Sequence, residues 1–379
     1  MNKVIVFGND HTNSVGVIQS LGKVGYKSIG LLYGIKTGLV MDSKYTIGVI
    51  TAKDAQSCID KLLKNITTIE DKIPIIACCD AAALALEKNA TILKEHFLFE
   101  HAINYSLNYL VKKENQVSMA KEAGFNVPKS WNLEDKKKIP DDIVFPCIIK
   151  PLISCEGAKS DIRVCYTLED LKKNLKTLSY TKNVLLQQYI DRDYEISVLG
   201  CSLSSGRCII PVLENKLTLY PKYVGLECLT DMQLLEDSAI KTCVENLIHR
   251  IGYVGLFSVE MMHSKNENNI YFTEINLRND GAEALVTKFG ANLPLNHVED
   301  LMNLPITEYT EYRPGYYIWD MHHFLSLLHG NIGVFTWIKE IIRSKGFMLY
   351  FKDDRKPFFR QYSNWMLEKL HIRKNELYK

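Results

Sequence analysis

The sequence predicts a mixed α/β and α+β fold in three parts, and three observations carry that prediction. Strands and helices alternate through the first hundred residues, β-rich antiparallel runs dominate the middle, and aromatic amphipathic helices occupy the last eighty. The 379 residues are 46% hydrophobic and 24% charged, which suits two or three folded domains. A net charge of +2 gives no overall reason to expect nucleic acid as a partner. The opening apolar run of four residues is too short for a secretory signal, and no stretch of about 18 uncharged apolar residues occurs, so no membrane span is expected. Ten cysteines lie scattered between Cys58 and Cys243 without CxxC or Cys/His ligand spacing, the pattern of buried thiols in a reducing compartment. A cytoplasmic protein is expected.

The first part alternates regularly. The apolar strand KVIVFGND (3–10) precedes a helix in TNSVGVIQSLGKVGY, and KSIGLLY (27–33) reads as a second strand. A helix in DAQSCIDKLLKNI leads into the buried strand IPIIACC and the helix DAAALALEKN. Such alternation predicts a parallel, Rossmann-like sheet with helices packed on it, whose ligands sit at the carboxyl ends of strands, here Gly8–Asn13 and Cys79–Asp80. The glycines after Val6 are Gly8 and Gly16, not GxGxxG, so NAD has little support. A helix over about 107–123 ends at Gly124, with Pro128 as a stop signal. The expected divisions are 1–110, 111–300 and 301–379.

In the second part FPCIIK (145–150) is an apolar strand that ends on Lys150, a charge that needs an anion or a route to solvent. The small polar loop 154–160 follows, with one glycine, Gly157, and Lys159, and its backbone amides are of a kind that can cover phosphates. The strand NVLLQQYI turns polar at Gln187 and Gln188, and the next strand, YEISVLGC, contains Glu195. Such an edge can offer backbone groups to an adenine ring and a carboxylate to ribose hydroxyls; two antiparallel strands with a solvated turn are the plain alternative.

The strongest signal is the hairpin YVGLFSVEMMHSKNENNIYFTEIN (253–276), in which SKNENN forms the turn. On a strand, Glu274, Asn276 and Arg278 share one face. A turn centred on Glu267 sets Glu260 opposite Glu274, and two carboxylates that close repel unless a cation sits between them. Two carboxylates and an amide oxygen are a ligand set for Mg²⁺ that takes the rest of its shell from phosphates and water. Arg278, one step on, suits a phosphate or an oxyanion. The plain alternative is surface charge on an exposed sheet face.

Lys150, the loop 154–160, LLQQYI with Glu195, Glu260 in LFSVEMM, and TEINLRNDGA follow one another in an order and spacing that resembles the ATP-grasp superfamily over about residues 1–300. Carboxylate–amine ligases, biotin carboxylase and the synthetase domains of carbamoyl-phosphate synthetase are members. The tail LYFKDDRKPFF is similar to that of amino-acid-adding members such as D-aspartate ligase. The resemblance implies that Lys150 contacts the α-phosphate of ATP, and that Lys159, with Ser154 and Gly157 of its loop, covers the β- and γ-phosphates. It implies an adenine hinge at Gln187, Gln188 and Ile190, with Glu195 on the ribose. Glu260, Glu274 and Asn276 would ligate one or two Mg²⁺ ions, or Mn²⁺ in their place, and Arg278 would steady the acyl-phosphate and tetrahedral species. Where members carry a basic residue in the helix before GFNVPKSW this chain has Gln116, and Lys113 is the expected substitute. Gln187 also stands where many members have Glu.

The expected fold is therefore a Rossmann-like domain, an ATP-grasp domain and a small helical extension. The expected activity joins a carboxylate to an amine through an acyl phosphate, releasing ADP and phosphate, with an amino acid among the small-molecule substrates and a homodimer as the assembly. The alternatives are activation of bicarbonate, as in carbamoyl-phosphate synthetase and carboxylases, and a regulator that holds ATP without turnover. Residues 300–379 hold Trp319, Trp337 and Trp365, three of the four tryptophans, and GVFTWIKEIIRSKG and KPFFRQYSNWMLEKLHIRK both read as amphipathic helices. Packing against the ATP-binding domain is the expectation for them, with contact at a membrane surface as the alternative.

Overall fold

The computed structural model describes residues 2–64, 71–133, 138–151, 162–178, 184–220 and 226–370. The N-terminal region runs β1 (Lys3–Asn9), α1 (Thr12–Gly22), β2 (Lys27–Tyr33), α2 (Leu39–Asp42), β3 (Thr46–Ala52), α3 (Ala55–Lys64), β4 (Ile73–Ala77), α4 (Asp80–Lys88), α5 (Ala90–Leu93) and β5 (Phe97–Phe99). Its five strands are parallel in the order β3-β2-β1-β4-β5. β1 is apolar from Val4 to Phe7 because both its faces are covered there. Val4 and Val6 join Val15, Ile18 and Leu21 of α1 in one core, and Ile5 and Phe7 join Ile59 of α3 and Leu86 of α4 in another.

Next come β6 (His101–Ala102), α6 (Leu107–Leu110) and α7 (Lys113–Glu122). The single helix expected over 107–123 is thus two. Lys112 is extended at the start of α7, and Asn115 and Gln116 donate from α7 to the carbonyls of Tyr109 and Leu110 at the end of α6, at 2.8 and 2.9 Å. Side chains of the second helix cap the first.

A small antiparallel sheet follows, built from β7 (Ser130–Leu133), β8 (Cys147–Pro151), β9 (Arg163–Cys165) and, after α8 (Leu168–Thr177), β10 (Val184–Gln188). Its order is β7-β10-β8-β9, and it closes its own core around Cys147, Ile149, Leu171, Leu175, Val184 and Leu186.

The large sheet contains β11 (Arg192–Ser202), β12 (Cys208–Tyr220), β13 (Leu226–Leu234) and, after α9 (Ala239–Ile251), β14 (Tyr253–Ser264) and β15 (Ile270–Asn276). Then come α10 (Glu283–Phe289), α11 (Leu293–Leu301), β16 (Gly315–Ile318), α12 (Asp320–Leu328), α13 (Val334–Arg343), β17 (Gly346–Phe347) and α14 (Lys356–Lys369). The sheet order is β15-β14-β11-β12-β13-β16-β17, with β6 on the start of β14. The C-terminal part is helical as expected, but it also supplies two strands to this sheet. It returns to the N-terminal domain as well: Asp354 accepts from Ser43 Oγ (2.6 Å) and the Lys44 amide (3.0 Å), and Arg360 pairs with Asp42 at 2.5 Å.

Two close approaches position the centre of the molecule. A Cβ on Gly16 would lie 2.9 Å from that of Ala284, so only glycine lets α1 and α10 pack this tightly. Asn13 donates to the carbonyls of Cys78 (2.9 Å) and Asn279 (3.2 Å), and the Asn279 amide donates to Ala77 O at 2.9 Å. The loop 277–282, between β15 and α10, is thereby tied to the carboxyl ends of β1 and β4. The nine cysteines among the described residues are all free. Among the described residues no helix is long and apolar enough to cross a membrane.

Candidate functional site

β14 and β15 place Glu260 directly opposite Glu274. They do so through a bulge. Close to the turn, His263 faces Ile270 and Met261 faces Phe272; Thr273 is then the extra residue, after which Glu260 faces Glu274 and Ser258 faces Asn276. Extending the first register unchanged would set Glu260 against Thr273 and turn Glu274 to the other face. The same face continues across the sheet. Ser197 of β11 is paired with Glu260 on one side and with Glu214 of β12 on the other, while Glu195 is paired with Met262 and Lys216.

This row of acids is held by two lysines. Lys216, only 7% exposed, reaches Glu227 Oε1 at 2.7 Å and Glu260 Oε2 at 3.5 Å. Burial works against its charge, yet Glu260, Glu227 and Glu214 hold its pKa well above the ordinary range. On the acid side, burial pushes Glu260 up to about 7; Lys216 moderates the rise and Glu274 adds to it. Burial and Glu227 bring the fully enclosed Glu214 to about 8. From the opposite wall Lys113 comes within 3.5 Å of Glu274.

The donor set fits a magnesium ion. Glu260 and Glu274 face each other at the cost of a raised carboxyl, the situation a divalent cation relieves, and Asn276 adds an amide oxygen on the same face. Among the described residues no group of three or more His, Cys, Asp and Glu could hold a metal, so an ion here would complete its shell from phosphate and water.

The small sheet carries the residues expected to meet a nucleotide. Lys150, last but one in β8, donates to Gln187 Oε1 at 2.8 Å, and Gln187 in turn donates to Ser130 Oγ at 3.1 Å. The Gln187 side chain therefore aims Lys150, while its backbone pairs with Ser130 of β7 and Ile148 of β8. The Gln188 amide donates to Lys129 O at 2.8 Å, and the buried Ile190 follows the strand. Glu195 pairs with Arg192 on the polar face of the large sheet. Ser154, Gly157 and Lys159 lie outside the described residues.

Burial, and then the neighbouring charge of Lys113, lower the Lys150 pKa to about 8. A lowered lysine is fully charged only below that value. Affinity for an anion held by Lys150, such as an ATP phosphate, is therefore expected to be greatest below pH 8 and to weaken by up to about tenfold for each further unit, as the Lys150 charge is lost. Titrating ATP binding from pH 7 to 9.5 checks this, and Lys150→Arg should flatten the profile.

Arg278 lies just beyond β15. Its guanidinium donates to Asn276 Oδ1 (3.0 Å) and to Asp80 Oδ1 (3.1 Å), and it lies 3.5 Å from Asp280. Asp280 accepts from Ser258 Oγ at 2.8 Å. Between α4 and α6 on one side and the end of β15 on the other lies a cavity of about 230 Å³, with Glu274, Asn276, Arg278 and Asp80 on a polar side and Leu84, Leu107 and Leu110 on an apolar one. Gln116 also lines it, and its role differs from that of a basic residue: its amide donates to Ile275 O (3.0 Å) and accepts from the Ile275 amide (3.3 Å), clamping the edge of β15. Lys113, one turn earlier, is the lysine of α7 that reaches Glu274.

Of the predicted residues, Lys113, Lys150, Glu195, Glu260, Glu274, Asn276 and Arg278 lie within hydrogen-bond or electrostatic reach of one another, whereas Ile190 lines a separate pocket beside Tyr189 and Ser264. The sequence reading missed Lys216 and Asp280; it had named Asn13 and Asp80 at the strand ends, but not their partners Asn279 and Arg278. For Lys216 a signal existed, because Glu214, Lys216 and Thr218 form the same alternating polar row as Glu274, Asn276 and Arg278.

Residues 118–286 match the ATP-grasp domain family. A formate-dependent phosphoribosylglycinamide formyltransferase of Bacillus velezensis is 28% identical over 202 residues, 51% of this chain and 50% of that protein. The chain thus spans about half the length of the first curated relatives it matches. Among solved structures, N5-carboxyaminoimidazole synthetase from Staphylococcus aureus superposes with a TM-score of 0.66 at 17% identity, covering 88% of each chain. The L-amino acid ligase from Bacillus licheniformis gives 0.59 at 13% identity, covering 83% of this chain and 78% of that one. At these identities the structural likeness establishes the fold.

Proposed function

Because residues 118–286 match the ATP-grasp domain family, we propose that the chain is an ATP-dependent carboxylate–amine ligase with an amino acid among its substrates. One observation carries the proposal: Glu260 and Glu274 oppose each other in register, with Asn276 and Arg278 continuing the same edge and Lys113 and Lys150 across the cleft. A site of this kind needs no protein nucleophile. The substrate carboxylate lies at the Arg278 end of the 230 Å³ cavity, its side chain against Leu84, Leu107 and Leu110. A carboxylate oxygen attacks the γ-phosphorus and ADP leaves; the amine then attacks the acyl carbon, inorganic phosphate departs with the bonding pair, and the amine proton passes to solvent. Lys150 and Lys113 offset phosphate charge, and Arg278 faces the oxyanion. Mg²⁺ held by Glu260, Glu274 and Asn276 would supply charge neutralisation at the phosphates.

The amino-acid assignment rests on the size of the cavity, on the likeness to an enzyme named as an L-amino acid ligase, and on the tail LYFKDDRKPFF. The curated relatives named for a formyltransferase point to formate, also a carboxylate. The test is MgATP turnover over a panel of amino acids, formate, bicarbonate and amines, with ADP, phosphate and AMP followed separately. ADP and phosphate released only with a particular carboxylate are expected. AMP and pyrophosphate would overturn the mechanism, and a bicarbonate requirement would replace the substrate class.

A further inference from the structure

We propose that α13 and the cationic groove beside it dock this protein on the surface of an anionic bilayer. The helix is amphipathic in an unusual sense, since its ten residues include none that is buried. It is attached by Trp337, which stacks on His323 of α12 with centroids 5.9 Å apart, and by Glu340, whose carboxylate lies 2.7 Å from His323 Nε2. The outward side carries Phe335, Ile338 and Ile342 at helical spacing, with Phe335 90% and Ile342 77% exposed. A contiguous apolar stripe of this kind on a helix is the signature of an interaction surface rather than scattered surface hydrophobicity.

What covers the stripe is indicated by the charges around it. Lys339 and Arg343 are exposed on the same helix, whose only acid, Glu340, is turned inward on His323. Directly after the helix, Lys345 enters a groove of about 420 Å³ whose walls also hold Lys23, Lys288, Arg313 and Lys352 against one carboxylate, Glu311. Lys288 is committed to the carbonyls of Phe347 and Met348, at 2.5 and 2.6 Å. Lys23, Arg313, Lys345 and Lys352 are exposed and converge here in a chain whose net charge is only +2. An apolar stripe flanked by lysine and arginine, joined to a cationic groove, matches a bilayer that offers an acyl layer and anionic headgroups together. A protein partner would have to supply acids at the same spacing around an apolar strip, and no acid on the outward side of α13 answers such a partner's cations.

The geometry also leaves the ligase cleft free. α1 begins beside the 277–282 loop and ends at Gly22, next to Lys23, so the groove lies about 16 Å along that helix from the candidate site.

The test uses the full chain in flotation with phosphatidylcholine vesicles prepared with and without phosphatidylserine. Association only with the phosphatidylserine vesicles is expected, weakening as salt is raised. The double substitution Phe335→Ser, Ile342→Ser should weaken it by about tenfold or more, and Lys345→Glu by at least about fivefold. All three side chains are exposed, so the thermal midpoint and ATP binding should be unchanged, which separates docking from folding. No association with phosphatidylserine vesicles, or equal association with both kinds, would overturn the proposal. So would a soluble dimer that Phe335→Ser dissociates, because the stripe would then be a self-interface.

Discussion

Replacing Glu274 with Gln is expected to lower carboxylate-dependent ADP release by about a thousandfold. The substitution keeps the shape of the side chain and removes its charge, so its effect falls on whatever that charge holds. In the folded protein without nucleotide, little should be lost. The contact with Lys113 is long, at 3.5 Å and partly exposed, and Glu260 would be relieved of a repelling neighbour, which brings its pKa down from about 7. Thermal unfolding without ligands should therefore be unchanged or slightly improved, while the stabilisation added by MgATP should largely vanish. That combination distinguishes a lost cation site from a damaged fold. Undiminished turnover in the variant would mean that no metal essential to the reaction sits between the two strands.

The second large effect concerns stability. Lys216→Met should destabilise the protein by about 3–5 kcal/mol at neutral pH, because it leaves Glu227, Glu260 and Glu214 buried or half-buried without their shared cation. The sign with pH follows from the directions of the shifts. Glu260 and Glu214 are raised, so each favours the fold when protonated, and that contribution is lost as pH climbs from the ordinary carboxylate range through about 7 and 8. Without Lys216 both would rise further. The gap between variant and parent should be small near pH 5 and widen towards pH 8. Thermal midpoints at both values check this; a gap of several degrees that ignores pH would point to lost packing of the lysine stem instead.

The hairpin shows how far the sequence could be read and where it stopped. Alternation along 270–278 was enough to put Glu274, Asn276 and Arg278 on one edge, because side-chain period is a property of the strand itself. The partner strand was identified correctly, and Glu260 does face Glu274, yet the geometry differs from a hairpin folded symmetrically about Glu267. The inner pairs follow a tighter turn, and Thr273 makes up the difference. Bulges leave no local mark in composition, so this one was invisible. Lys216 escaped for another reason: its acids lie on β13 and β14, and their meeting depends on the order of strands in the sheet. Gln116 was singled out only as a missing charge, whereas its hydrogen bonds to Ile275 require the break between α6 and α7, which a helical pattern over 107–123 conceals. In the C-terminal part the helices were legible from their periodicity. β16 and β17 were not, since runs of four and two residues carry no usable period.

The extra residue at 273 has a consequence for how the chain can vary in length. Parity, whether the count of residues between two points is odd or even, decides which face a strand residue meets. Turn 265–269 can be shortened or lengthened as long as the inner pairs still form, because the strands beyond it keep their count. Between Phe272 and Glu274 the count is tolerant in one direction: losing Thr273 would leave a plain ladder in which Glu274 still meets Glu260, whereas a regular ladder that kept Thr273 would send Glu274 to the core face. The extra residue therefore bends the edge strand without being needed to pair the two acids.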